Sequence, residues 1–193
     1  MQKKVLLLLA LFSLCACQHS PRKEYFALSA SAADFTLSEQ TPVNRIVGVG
    51  PISIPEYVQH DKIAYWKTPQ QLILLHNYYW AEPLERGITR VLALELQASQ
   101  HDWRVMQFPW PGKQHPDYSL RLDIQRLDAF ADQAILEAHV DWIDMQTRNI
   151  IASQHIKLHL PCSPNPHAIA RAYSELLQQT IRTIKPPQFT RGG

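Results

Sequence analysis

Residues 118 to 160 alternate apolar and polar side chains almost without interruption, and this period of two limits the folds open to the chain more than any other feature. Leu120, Leu122 and Ile124 are interleaved with Arg121, Asp123 and Gln125. Ala134, Leu136, Ala138, Val140 and Trp142 are interleaved with Ile135, Glu137, His139 and Asp141, and Ile156, Leu158 and Leu160 with His155, Lys157 and His159. A strand patterned in this way buries one face and wets the other, so the segment predicts an antiparallel meander covered on one side, with Trp142 inside. Asp128 to Asp132 is expected to form the turn between the first two strands.

The cover is predicted to be helical. Pro83 fits a first helical turn, where its missing N–H is not needed, and Leu84, Ile88, Val91, Leu92 and Glu95 follow at helical spacing. Gly87 costs such a helix about 1 kcal/mol relative to alanine, which points to a close backbone contact there. Asn165 as N-cap and Pro166 at the first position announce a second helix, striped by Ile169, Ala172, Tyr173, Leu176, Thr180 and Ile184 and ended by Pro186-Pro187. Shorter strands are expected at Tyr25–Leu28, Ile46–Gly50, Asp61–Lys67, Gln71–His76 and Trp103–Phe108, with 29–44 as a loop. Pro51 and Pro55 frame Ile52–Ile54 and demote that end to an edge or an irregular extension. The expected fold is a single-domain α+β sandwich, a mostly antiparallel sheet with two amphipathic helices packed on one face.

The N-terminus reads differently. Lys3 and Lys4 precede the apolar run Val5–Leu14, and Leu14-Cys15-Ala16-Cys17 has the pattern of a bacterial lipobox. The run is too short to cross a hydrocarbon core of about 30 Å. The expected organisation is a lipoprotein signal peptide over 1–16, a lipidated tether over 17–24, one domain over 25–187 and a flexible tail over 188–193. In the lipoprotein class Cys17 carries three acyl chains, enough for permanent anchorage. Cleavage before Cys17 removes both N-terminal lysines, so 17 basic residues face 17 acidic ones, and a neutral chain gives no electrostatic reason to expect nucleic acid. Cys162 is then the one thiol left, expected to be buried and inert.

No constellation for catalysis stands out. The chain has no Gly-x-Ser-x-Gly elbow, His-Glu-x-x-His motif, phosphate-binding glycine loop or cysteine pair for zinc, and neither a metal nor a cofactor is expected. His155 and His159 fall on a strand and are expected in solvent beside Lys157. Asp123, Asp128 and Asp132 suit a strand and its turn better than paired acids. Glu82 and Glu85 flank a helix start, where negative charge complements the helix dipole.

Three segments carry a resemblance: Val47-Gly48-Val49-Gly50-Pro51-Ile52-Ser53-Ile54-Pro55-Glu56-Tyr57, then Trp80-Ala81-Glu82-Pro83-Leu84, then Val140-Asp141-Trp142. In this order, behind a lipobox and Tyr25-Phe26-Ala27-Leu28, they resemble the ABC-type transport auxiliary lipoprotein family over essentially the whole mature chain. The departure is Gln59-His60-Asp61, where relatives often place Asp-Arg. The resemblance implies a non-catalytic lipoprotein. Its implied partners are a mammalian-cell-entry (MCE) tunnel protein that carries lipid across the periplasm and, indirectly, a multi-span inner-membrane protein. It also implies a ring of identical subunits. Gln18 in place of Asp after the lipid cysteine favours, by resemblance to enterobacterial lipoproteins, the periplasmic face of the outer membrane. The alternative is an accessory or pilot lipoprotein for a β-barrel or secretin. Candidate partner or subunit contacts are Pro55, Tyr57, Tyr79, Trp80, Glu82, Phe108 and Trp110. For Phe108 and Trp110 the choice is between a partner or lipid and folding back on the domain; for Trp80, between stapling onto Leu84 and a subunit contact.

Overall fold

The computed structural model describes residues 22–31, 43–112, 114–187 and 189. The expected signal peptide, Cys17, the start of the tether, most of the 29–44 loop and the tail apart from Phe189 lie outside the described residues. The elements in chain order are β1 (Glu24–Phe26), β2 (Arg45–Ser53), a 3-10 turn (Glu56–Val58), β3 (Lys62–Thr68), β4 (Gln71–Trp80), α1 (Leu84–Ser99), β5 (Trp103–Gln107), β6 (Tyr118–Phe130), β7 (Gln133–Asp144), β8 (Ile150–Pro161) and α2 (Pro166–Thr183).

β6 organises the sheet. One edge pairs antiparallel with β7 along its length, and β7 pairs antiparallel with β8, giving the expected meander. The other edge is shared end to end: β2 runs parallel to its first half, and β3 meets its far end at Trp66 and Phe130. β5 lies parallel to β2 on the outside, and β4 and then β1 extend the β3 side, so the sheet forks at β6. The long ladders make it mostly antiparallel, although β2 is parallel to both neighbours, a pairing that alternation does not reveal. The proline expectation holds in detail. Val49 pairs with both β5 and β6, the register shifts across Pro51, and Ile52 and Ser53 pair with β6 alone. Pro51 therefore sits at a bulge on a one-sided stretch, where its missing N–H breaks no ladder.

Both helices pack on one face and on each other, α1 over β2 and β5, α2 over β7 and β8. Val47, Val49, Leu120, Leu136, Ala138, Val140 and Trp142 meet Ile88, Val91, Leu92, Ile169, Leu176 and Leu177, all at 0% exposure. Each such aliphatic side chain contributes about 1.5–3 kcal/mol on burial. Glu95 sits in this stripe because the Ser31 backbone N–H donates to its carboxylate and the Ser31 hydroxyl lies 2.8 Å from both oxygens. Asn165 caps α2 as expected, its side chain accepting from the Ala168 N–H at 2.9 Å. Cys162 is buried, and burial pushes its thiol pKa up.

Two expectations change. Asp128 is not in a turn: β6 continues to Phe130, and the connection is Ala131 and Asp132 alone, with Ala131 at φ 55°. The reason is a bulge between Ile124 and Arg126, which inserts one residue and reverses the parity of the strand. Leu120, Leu122 and Ile124 face the helices before it; Leu127 and Ala129 face them after it. Without that reversal Arg126 and Asp128 would enter the apolar core. The second change concerns the tail. Phe189, expected in a flexible segment, lies 4.1 Å from the ring of Tyr118, 5.5 Å from Trp103 and 5.7 Å from Trp142, with the Arg45 guanidinium 4.6 Å over its face.

Candidate docking groove at the fork of the sheet

Where β2 and β3 part along β6, the chain crosses from Ile54 to Asp61 through the 3-10 turn. The end of β4 and the start of α1 face this crossing. Between them lies an open groove of about 410 Å³ lined by Ile54, Gln59, His60, Asp61 and the run Trp80–Glu85. Its floor is apolar: Ile54, Trp80 and Leu84 are buried at 8%, 8% and 4% exposure. Its rim carries the carboxylates of Asp61 and Glu85 and the imidazole of His60, all exposed.

The groove walls are held rigidly. Trp80 stacks on Tyr173 of α2, centroids 6.1 Å apart and planes 17° from parallel, so it serves as core and floor together. Glu82 is bound to Arg90, Oε1 accepting from Nη2 at 2.5 Å and Nε at 3.2 Å, while the same Nη2 reaches the Leu28 carbonyl at 2.9 Å. Gly87 makes this possible: a Cβ there would stand 3.3 Å from Glu82 Oε1 and 3.4 Å from Leu28, the close contact that its cost in a helix foretells. The Glu82 charge is thus spent on Arg90, and Glu85 is the acid left in the first turn of α1.

Behind the groove, Pro55 caps the 3-10 turn and Tyr57 is pinned beneath it. The Tyr57 hydroxyl donates to Asp128 Oδ1 at 2.7 Å, Trp66 Nε1 donates to the same oxygen at 3.0 Å, and Arg126 donates to Oδ2 at 2.8 Å. Burial and the neighbouring carboxylate push the Tyr57 pKa well up, so the hydroxyl stays protonated as donor. Asp128, 6% exposed, is a satisfied structural anion that ties β3, the turn and β6 together. This cluster and the groove's His60, Asp61 and Glu85 are not apparent as a unit in the sequence. The available signal is the parity change around Gln125.

The remaining candidates go elsewhere. Tyr79 faces away from the groove, beside Tyr25, their centroids 5.6 Å apart. Phe108 and Trp110 fold back onto the outer face of β2. A Cβ on Gly48 would overlap the Trp110 ring and lie 2.9 Å from Pro116, and one on Gly50, at φ 112°, would lie 2.6 Å from Phe108 Cβ. The glycines at 48 and 50 are what let the aromatic loop settle, and Phe108 keeps 44% of its surface exposed. His139 and His155 oppose each other across β7 and β8 at 4.8 Å, with Glu137 3.4 Å from His155. Among the described residues no group of three or more His, Cys, Asp or Glu is arranged to hold a metal ion, and no described helix is long and apolar enough to cross a membrane.

The described residues thus form a two-helix cover on one face of a forked sheet, with an open groove at the fork. The family profile for the ABC-type transport auxiliary lipoprotein component matches residues 26–185, and the chain belongs to that family. The intermembrane transport lipoprotein PqiC of Escherichia coli K12 is 25% identical over 108 residues, 55% of this chain and 57% of that protein; PqiC of Shigella flexneri matches equally. The matched region thus spans about half the length of these relatives. A crystal structure of an uncharacterized protein superposes with a TM-score of 0.66 at 16% identity, covering 83% of this chain and 95% of the other. Protein XCC0632 of Xanthomonas campestris gives 0.62 at 18% identity, covering 82% and 90%. These two establish kinship of fold.

Proposed function

We propose that this chain is a lipid-anchored, non-catalytic component of an MCE-type intermembrane lipid transport system. Cys17 holds it on the periplasmic face of the outer membrane, and the fork groove receives the outer end of an MCE tunnel protein of the PqiB kind. Through that tunnel it is coupled to a multi-span inner-membrane protein of the PqiA kind, and the assembly supports membrane integrity. The observation that carries this reading is convergence. Ile54, from the first of the three segments that carry the family resemblance, and Trp80–Leu84, the second, are remote in sequence yet line one groove. Its apolar floor and acidic rim suit an apolar side chain flanked by Lys or Arg. Identical copies anchored in one membrane gain effective concentration from their shared surface, which favours a ring around the tunnel mouth.

The test is co-purification of the full-length, C-terminally tagged protein from mild detergent, with mass spectrometry of the bound material, beside a Glu85→Lys variant. Recovery of an MCE-domain protein, weakened by the charge reversal, is the expected result. Recovery of a β-barrel or secretin in its place overturns the reading in favour of an accessory lipoprotein.

A further inference from the structure

Four residues lie between Cys17 and Arg22, the first described residue, and the five Cα-to-Cα steps from one to the other reach at most about 18 Å. β6, with 13 residues, is about 44 Å long. An anchor at Cys17 therefore brings one margin of the domain to the bilayer and leaves the rest standing off. That margin is the edge strand β1 on β4.

Its outer face has the chemistry of a membrane interface. Tyr25 is 63% exposed and lies against Tyr79. The ammonium groups of Lys23 and Lys62 stand 5.3 and 5.8 Å from the centre of the Tyr79 ring, and neither lysine has an ion-pair partner among the described residues. Glu24 points the other way, 3.9 Å from His167 at the start of α2, and Asp61 is the acid next to Lys62 in the chain. Tyrosines place an apolar ring and a polar tip at headgroup depth, and unpaired lysines beside a lipid anchor meet lipid phosphates.

We propose that Lys23, Tyr25, Lys62 and Tyr79 form a membrane-contact face that lies on anionic phospholipid headgroups. The inference rests on the lipid anchorage at Cys17 proposed above. It orients the domain: the fork groove lies on the opposite side of the same end of β4, because Trp80 faces it while Tyr79 faces the lipid. A partner in the groove is thereby held close to the bilayer.

The test uses the full-length acylated protein in vesicles of phosphatidylethanolamine and phosphatidylglycerol. Lysines are acetylated with a water-soluble reagent and quantified by mass spectrometry, and the N-terminal peptide is weighed in the same sample. Lys23 and Lys62 are expected to react several-fold more slowly than Lys67 and Lys185, with the difference shrinking in phosphatidylcholine vesicles and in high salt. Tyr25→Ser, at an exposed position, should release much of the protection of Lys23. Equal rates at all four lysines with Cys17 acylated overturn the contact face and leave the anchor standing. Protection independent of lipid charge and of salt overturns it in favour of a covering protein copy. An unmodified Cys17 removes the anchor and the inference together.

Discussion

The meander β6–β8 and the fork formed by β2, β3 and the 3-10 turn share one strand and one core, yet they are stabilised in different ways. In the meander, apolar burial repeats at every second residue, and each position resembles the next. At the fork, stability is concentrated in a few particular contacts: Asp128 with Tyr57, Trp66 and Arg126; Glu82 with Arg90; and the glycines at 48 and 50 under the aromatic loop. A regular surface resists deformation everywhere about equally. A surface built on a few keyed contacts gives up regularity and gains a shaped groove, the surface proposed above to receive the partner.

The largest expected effect lies in the meander. Leu136→Ala, fully buried on the central strand β7, should destabilise the domain by about 3–4 kcal/mol in denaturant unfolding and leave partner recovery per folded molecule unchanged. Asp128→Ala should cost less, about 2–3 kcal/mol, because it strands the half-buried tyrosine and indole donors. Its distinctive readout is faster amide exchange confined to 54–61 and 62–68, and uniform acceleration across β7 and β8 would erase the proposed contrast. Gly48→Val should cost about 1–3 kcal/mol by lifting Trp110, seen as a shift in tryptophan emission and new proteolysis within 108–112.

The smallest effect concerns pH on the meander's wet face. Lys157, then His155 and Arg126, hold the half-buried Glu137 carboxyl below its ordinary range. A folded pKa below the unfolded one contributes stability that is present above the unfolded value and lost as pH falls through the folded one. Glu137→Gln should therefore narrow the stability difference between neutral and acid pH slightly, with no effect at pH below the carboxylate range. A large acid-limb change would mean that the meander also depends on particular contacts.

The same contrast explains how far the sequence could be followed. Alternation over long strands marks β6, β7 and β8, and caps and stripes mark both helices, because those signals are local and repeated. The fork depends on a single inserted residue in β6 and on pairings between segments about 70 residues apart, such as Tyr57 with Asp128. No window of sequence contains both ends of such a contact. Asp128 accordingly looks like a turn residue until Tyr57 and Trp66 are placed over it. The Trp80–Leu84 motif is visible in the sequence, but it does not say that Trp80 is also a core residue or that Glu82 is held by Arg90. The groove's rim had no signal of its own.

The most direct test of the account is a photo-crosslinking residue placed in living cells at Glu85, on the groove rim, and separately at His159, on the exposed face of β8. Crosslinks from position 85 to an MCE-domain protein, with none from position 159, are the predicted result. Crosslinks to that protein from β8 alone, or from position 85 to a β-barrel or secretin, would contradict it.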